Sequence, residues 1–523
     1  MAEAAPAPCR HPAFTELERR WTEIRHLESV AALLSWDQET MMPAGATAAR
    51  SAQTATVAAT VHDRLTAEEL QRVIEEAEVA AAEPLQRAAV AEARRLTRRA
   101  LAIPRRLAGE LAAAAALGTE AWQRARAEDR FAPFRPALQR LVELKWEQAT
   151  LLSSGSGPDG DPYDALLDEH EPGARAADLD RLFASLEPEL VALGRALPVA
   201  TPPAPPAASA RYPLAAQREA GVRVARALGF DESRGRIDAS AHPFCVGLDP
   251  TDVRLTWRAE PDDFRPALLG CLHEAGHALY EQGLPPALAH GPLGGAASLG
   301  VHESQSRLWE NRVGRSRGFC RWLFTWLPEL LPALPCADPD ELWRHLHELR
   351  RGPIRVDADE VTYDLHVLTR YRLEKALLSS QLEVADLPDA WNEEYRGLLG
   401  LTPTSDRTGV LQDIHWAVGL FGYFPTYTLG NLAAHQLFEA AVAKLGDLDA
   451  DFERGDFAPL LGWLRDHVHS LAATLPPREL IRRATGRPLE TDPFLRHVRG
   501  LVGLQAPSPA AARAPGAGGG PRR

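Results

Sequence analysis

Apolar side chains recur along most of this chain at steps of three and four. Phe14, Leu17, Trp21 and Ile24 open the pattern, and Leu27, Ala31 and Leu34 continue it. Such a stripe is the buried face of a helix. Residues 65–120 are dense in Ala, Glu, Arg and Leu, all good helix formers, and Leu182, Leu186, Leu190 and Leu193 repeat the stripe. Period-two alternation is scarce. Val253, Leu255 and Trp257 alternate with polar residues at the end of a loop at 242–257, which marks short strands there. The pattern predicts a mainly α protein with minor β content.

Three stretches interrupt it. SSGSGPDGDP (153–162) is a turn-rich break, and TPPAPPAASA (201–210) is a proline-rich connector that cannot continue a helix. From about residue 506 to 523 the chain is Pro, Ala and Gly with two closing arginines, which reads as a disordered tail. No repeat of fixed period occurs. The chain therefore divides into a helical N-terminal half (1–200), a half that carries every chemical motif (201–505) and the tail, with the two halves expected to form one continuous structural unit.

Composition narrows the class. At 523 residues and 45% hydrophobic, the chain can bury a large core without disulfide or metal staples. A formal net charge of -13 argues against nucleic acid or an anionic membrane as the main partner. The five cysteines are odd in number, widely spaced and without a CxxC pair, which suits a reducing compartment. The first residues lack a basic stretch followed by an apolar one, and no apolar run reaches membrane-spanning length. The expected location is the cytoplasm.

The sharpest chemical feature is His273-Glu274-Ala275-Gly276-His277. Phe264, Leu268, Cys271 and Ala275 give this segment an apolar helical face, Asp262 and Asp263 are candidate N-caps, and Gly283 marks the expected end. Histidines four apart on a helix stack on one face, about 6 Å along the axis, so both can reach one zinc ion. Glu274 neighbours the first and can reach a water on that ion, the position of a general base in metal-assisted hydrolysis. A catalytic zinc needs a third protein ligand and an open position. His290, His302, Glu303 and Glu310 all lie downstream, and spacing does not choose among them, although Glu303 sits near the start of a second helix with Leu308, Trp309 and Val313 as its apolar side.

Further motifs appear in order: Ser35-Trp36-Asp37-Gln38, His242-Pro243-Phe244, Asp252-Val253-Arg254-Leu255-Thr256, the HEAGH pentad, His302-Glu303-Ser304-Gln305, Ile354-Arg355-Val356-Asp357-Ala358-Asp359 and Gly409-Val410-Leu411-Gln412-Asp413-Ile414-His415-Trp416. With these the chain resembles the thermostable carboxypeptidases typified by the Taq enzyme, metallopeptidase family M32, over most of its length to about residue 500. The resemblance implies a large, bilobal helical fold with a metal deep in a long narrow groove, usually in a homodimer. It implies Glu303 as third ligand, Glu274 as catalytic residue, and zinc as the metal, with cobalt able to substitute. The implied activity removes residues from the free C-terminus of peptides with broad specificity, terminal proline being disfavoured.

Substrate contacts follow from the same motifs. His415 and the tyrosines Tyr423 and Tyr427, in a segment broken by glycine and proline, are candidates to meet the oxyanion or the substrate. A free carboxylate is read best by the planar fork of arginine, for which the motif positions suggest Arg355, then Arg254. The segment at His242 and the strand at Arg254 are expected to line the groove. Asp359 and Asp413 are candidates to orient the ligand histidines. Two other readings share the pentad: a metallo-oligopeptidase that cuts internal bonds, and a helical scaffold that binds metal without turnover.

Overall fold

A computed structural model of the chain describes residues 11–154, 161–200 and 212–505. The proline-rich connector and the tail lie outside the described residues, as do residues 155–160 of the turn-rich break.

Helices dominate, as the periodicity predicts. The opening stripe is helix Pro12–Thr40, which buries Phe14, Leu17, Trp21 and Ile24 against Leu70, Val73 and Ile74 of helix Glu68–Ala80 and Val90 of helix Pro84–Ala102. Leu27, Ala31 and Leu34 are only half-buried. Beyond Ile24 the helix leaves that small core and crosses the strand Cys245–Asp249 and the loop at 291–292, where Ser29 Oγ donates to the Leu248 carbonyl and Arg25 to those of Gly291 and Pro292. The later stripe is helix Ala176–Ala196. Its buried line is Leu179, Phe183, Leu186 and Leu190, and Leu182 and Leu193 flank it.

The β content is one three-stranded sheet: β1 (Gly235–Ala239), β2 (Cys245–Asp249) and β3 (Asp252–Trp257). β3 is central, parallel to β1 with Ile237 opposite Leu255, and antiparallel to β2 with Cys245 opposite the same residue. Val253 and Leu255 are fully buried on the face against helix Arg265–Gly283, which explains the alternation seen in the sequence.

Two large cores hold the molecule together. One surrounds the pentad helix with Leu272, Leu279, Trp309, Phe319 and Phe457. The other gathers Phe183, Leu190, Leu368, Trp391, Trp416 and Phe421. Helix Pro425–Leu445 serves both, giving Leu432 to the second and Ala434, Leu437 and Phe438 to the first. It also packs along helix Leu299–Arg307, so Glu303 lies at the seam between the cores. Among the described residues no helix is long and apolar enough to cross a membrane.

Candidate active site

The pentad lies on helix Arg265–Gly283. This helix starts two residues later than a cap at Asp262 would set, but Asp263 still serves its first turn, accepting the Arg265 N–H at 2.9 Å. His273 and His277 present adjacent rings, centroids 4.9 Å apart and nearly perpendicular. The second helix, Leu299–Arg307, crosses at Gly276, where a Cβ would stand 2.6 Å from the Gln305 carbonyl oxygen and from Ser306 Cα. Gly430 of helix Pro425–Leu445 admits Glu303 from the other side, since a Cβ there would lie 2.6 Å from Glu303 Cγ. These two glycines let three backbones close on one carboxylate.

The result is a three-donor cluster. Glu303 Oε2 is 3.7 Å from His273 Nε2 and 3.5 Å from His277 Nε2, and the ligand atoms of the three residues lie within 4.8 Å of one another. The other Glu303 oxygen accepts from Arg307 Nε at 2.8 Å, which leaves Oε2 facing the imidazoles.

Both imidazoles are anchored through Nδ1. His273 Nδ1 donates to Glu310 Oε2 at 2.9 Å. His277 Nδ1 lies 2.6 Å from His302 Nδ1, and His302 Nε2 reaches Glu281 Oε1 at 2.8 Å. The carboxylate can only accept, so His302 donates to it and takes the His277 Nδ1 proton as its own acceptor bond. Each histidine thus turns Nε2 inward. Glu310 belongs to a π-helical turn, Leu308–Val313, closed by the Gly314 N–H on the Trp309 carbonyl at 2.8 Å. Such turns re-aim side chains inside helices.

The charges differ sharply between neighbours. Burial works against a proton on His273, but the Glu303 and Glu310 carboxylates outweigh it and lift the imidazole to about 9. His277, buried and beside His302, drops to about 3. Glu303 is held well below the usual carboxylate range: burial opposes this, and His273, His277 and Arg307 overcome it. Glu274, 6% exposed, is raised by burial to about 7, and no described residue hydrogen-bonds its carboxylate.

Beside the cluster stands an arginine and tyrosine wall. Arg355 Nε and Nη2 donate to Asp413 Oδ1 (3.1 and 2.8 Å), and Nη1 donates to the Tyr363 hydroxyl at 2.9 Å. The guanidinium lies over the Tyr427 ring, 5.0 Å from its centroid. Asp413 also grips Arg370 (Nε to Oδ2, 2.6 Å). His415 Nε2 contacts the Tyr427 hydroxyl at 3.2 Å, and burial lowers this imidazole to about 4. Tyr423 packs edge-on to Tyr427, and both feel the charge of Glu303.

Comparison with known proteins decides the family. The profile described as Carboxypeptidase Taq (M32) metallopeptidase matches residues 16–501. Thermostable carboxypeptidase 1 of Thermus thermophilus is 43% identical over 496 residues, 93% of this chain and 97% of that protein. The chain belongs to the M32 metallocarboxypeptidases. Carboxypeptidase 1 of Bacillus subtilis is 39% identical over 71% of this chain and 73% of its own. The solved M32 carboxypeptidase of Deinococcus radiodurans R1 superposes with a TM-score of 0.90 at 39% identity, covering 94% of this chain and 99% of that one. The mainly α fold and the carboxypeptidase class expected from the sequence are thereby established.

An M32 metallopeptidase works with a metal ion, and the donor set here fits one: two inward Nε2 atoms with their Nδ1 protons engaged elsewhere, and one carboxylate oxygen between them. The structure gathers His273, His277, Glu303 and Glu274, and sets Arg355, His415, Tyr423 and Tyr427 in the adjoining wall. It does not bring Arg254 or His242 to the cluster. Arg254 is clamped by Asp252 (2.9 and 2.8 Å) and stacked on Trp36, and His242 is exposed in the turn before β2. Nor do the expected aspartates orient the histidines. Asp359 accepts the backbone N–H groups of Arg350, Val361 and Thr362, and Asp413 is taken by two arginines. Glu310 and His302, first weighed as ligands, do the orienting. Glu281 and Arg307 were missed, yet each stands four residues beyond a cluster member, a helical spacing that would have found them.

Proposed function

We propose that this carboxypeptidase releases single amino acids from the free C-terminus of peptides, using zinc held by His273, His277 and Glu303 with Glu274 as general base, and that cobalt can replace the zinc. The observation that carries the reading is the convergence of two Nε2 atoms and Glu303 Oε2 with the buried Glu274 beside them. When bound, such an ion supplies Lewis-acid polarisation of the scissile carbonyl and a more acidic water. Glu274 takes a proton from the attacking water and returns it to the departing amine. Burial, which raises its carboxyl above the usual range, suits a group that must do both at neutral pH.

Arg355 reads the substrate carboxylate. Three of its five N–H groups are committed to Asp413 and Tyr363, which leaves two to meet a carboxylate while Asp413 fixes the fork. Tyr427 or Tyr423, with His415 behind, donates to the oxygen that becomes negative as water adds, a contact worth about 3–4 kcal/mol. Arg254 and His242 line a more distant part of the groove. Side chains are accepted broadly and terminal proline is rejected. The enzyme works in the cytoplasm as a homodimer.

The test compares one peptide with its C-terminally amidated twin by time-resolved mass spectrometry. A ladder of single-residue losses from the free peptide alone is expected. Equal cleavage of both would assign an oligopeptidase cut instead, and cleavage of neither by the zinc-loaded protein would leave a metal-binding scaffold.

A further inference from the structure

A second set of two imidazoles and a carboxylate shares no residue with the pentad cluster, although Arg315 stands between them, 3.6 Å from Glu310 and 3.8 Å from Glu360. Glu360 precedes helix Tyr363–Leu378, His435 sits mid-way along helix Pro425–Leu445, and His497 is on the C-terminal helix Asp492–Gln505. Their ligand atoms lie within 4.8 Å of one another. The His435 and His497 rings have centroids 4.7 Å apart, and His497 Nε2 meets Glu360 Oε2 at 2.9 Å.

Two atoms of this set are buried and lack a hydrogen-bond partner: His435 Nε2 and Glu360 Oε1. His435 is completely buried, and its Nδ1 donates to the Asn431 carbonyl at 2.7 Å. That bond fixes the ring and, in the neutral imidazole, leaves the lone pair on Nε2. A buried ring nitrogen without a hydrogen bond, in a set whose carboxylate oxygen also lacks one, is a costly arrangement unless something accepts it. Of the nearby cations, Arg315 comes closest. Its Nε is 3.8 Å from Glu360 Oε1, beyond a hydrogen bond, and is itself without a partner. A small cavity lined by Glu360, Arg315 and Asn431 reaches the set at Glu360, and it is also lined by Arg307, Glu310 and Tyr363 of the first site. His497 remains partly exposed, which gives an entry path.

We propose that Glu360, His435 and His497 form a second binding site for one divalent cation of the zinc class, which ties the C-terminal helix to the body of the enzyme. Two imidazoles and one carboxylate select zinc, cobalt or nickel over calcium or magnesium, which prefer oxygen donors. Loading needs the neutral His497 ring with its proton on Nδ1 and Nε2 turned to the ion, and Glu360 Oε1 and His435 Nε2 gain the partner they lack. The role is structural. Three elements distant in sequence meet here, and the substrate wall described above contributes none of the three ligands.

The decisive preparation is the His273→Ala/His277→Ala double variant, which removes the pentad ligands and leaves the second set whole. After loading with zinc and gel filtration, metal analysis is expected to find one zinc per chain in this variant and two in the wild type. Cobalt loading is expected to give a visible ligand-field band. Adding His435→Gln, or separately His497→Gln on the more exposed helix, is expected to remove the remaining metal with the helical circular dichroism unchanged. A chelator is expected to lower the melting temperature of the double variant but not of these triple variants. No zinc in the folded double variant would overturn the proposal, the set then being a Glu360–His497 pair around a water. Zinc that survives both added substitutions would overturn it as well, by showing adventitious surface binding.

Discussion

The two imidazole–carboxylate clusters of this protein are built from the same side chains by opposite routes. In the first, His273 and His277 share one helix and Glu303 stands one crossing away. In the second, Glu360, His435 and His497 come from three segments, separated by 75 and then 62 positions. Orientation differs too. In the first cluster charged or titratable side chains hold the rings: Glu310 on His273, and His302 with Glu281 on His277. In the second a helical carbonyl holds His435. A carboxylate behind a ring makes it a better electron donor and tunes the ion, whereas a carbonyl mainly fixes its direction. The first cluster is arranged for chemistry and the second for attachment.

The contrast can be pressed, starting with the largest effect. Glu303→Ala should remove the metal of the first cluster and abolish release of C-terminal residues, while the zinc proposed for the second stays. Metal content and peptide turnover measured on the same sample check this, and full turnover with Glu303 absent would place the third donor elsewhere. Glu310→Gln keeps every donor and weakens only the orientation of His273. It should lower metal affinity or activity by about 10–100-fold, read by competition with a chromogenic chelator. Gly276→Ala tests the crossing itself. A Cβ 2.6 Å from two backbone atoms of the second helix should cost about 1–3 kcal/mol in denaturant unfolding, and turnover should fall with it because Glu303 rides on that helix. The smallest effect on catalysis belongs to His435→Gln, for which kcat should be unchanged and only the thermal midpoint should fall. A large loss of kcat there would join the two clusters into one functional unit.

The same contrast explains what the sequence could convey. The pentad was legible because a helix converts a spacing of four into one face, a purely local rule. Spacing alone did not choose the third donor, which only the resemblance of the motifs named, because His290, His302, Glu303 and Glu310 all lie within reach of a second helix and the crossing angle is not a local property. The structure disperses them. Glu303 joins the cluster, Glu310 and His302 stand behind the rings, and His290 pairs instead with Asp249 at 3.7 Å and with the edge of His26. The stripe at Phe14–Ile24 was legible for the same local reason, and Leu27, Ala31 and Leu34 kept the period after the helix had left its core. Arg254 misleads in another way: a strand arginine in a shared motif looks free to bind substrate until Asp252 and Trp36 are seen to occupy it. Glu360, His435 and His497 have no spacing to betray them, and only the packing of helix Pro425–Leu445 against the C-terminal helix brings them together.

The most direct test of the account is Glu274→Gln, with metal content and peptide hydrolysis measured on one preparation. The substitution keeps size and removes only the ability to take a proton, so zinc should remain at the wild-type level while kcat falls by about 10²–10⁴-fold. Wild-type turnover in a fully metal-loaded Glu274→Gln protein would contradict the assignment of the base. Loss of the metal would contradict the separation of Glu274 from the three groups that hold it.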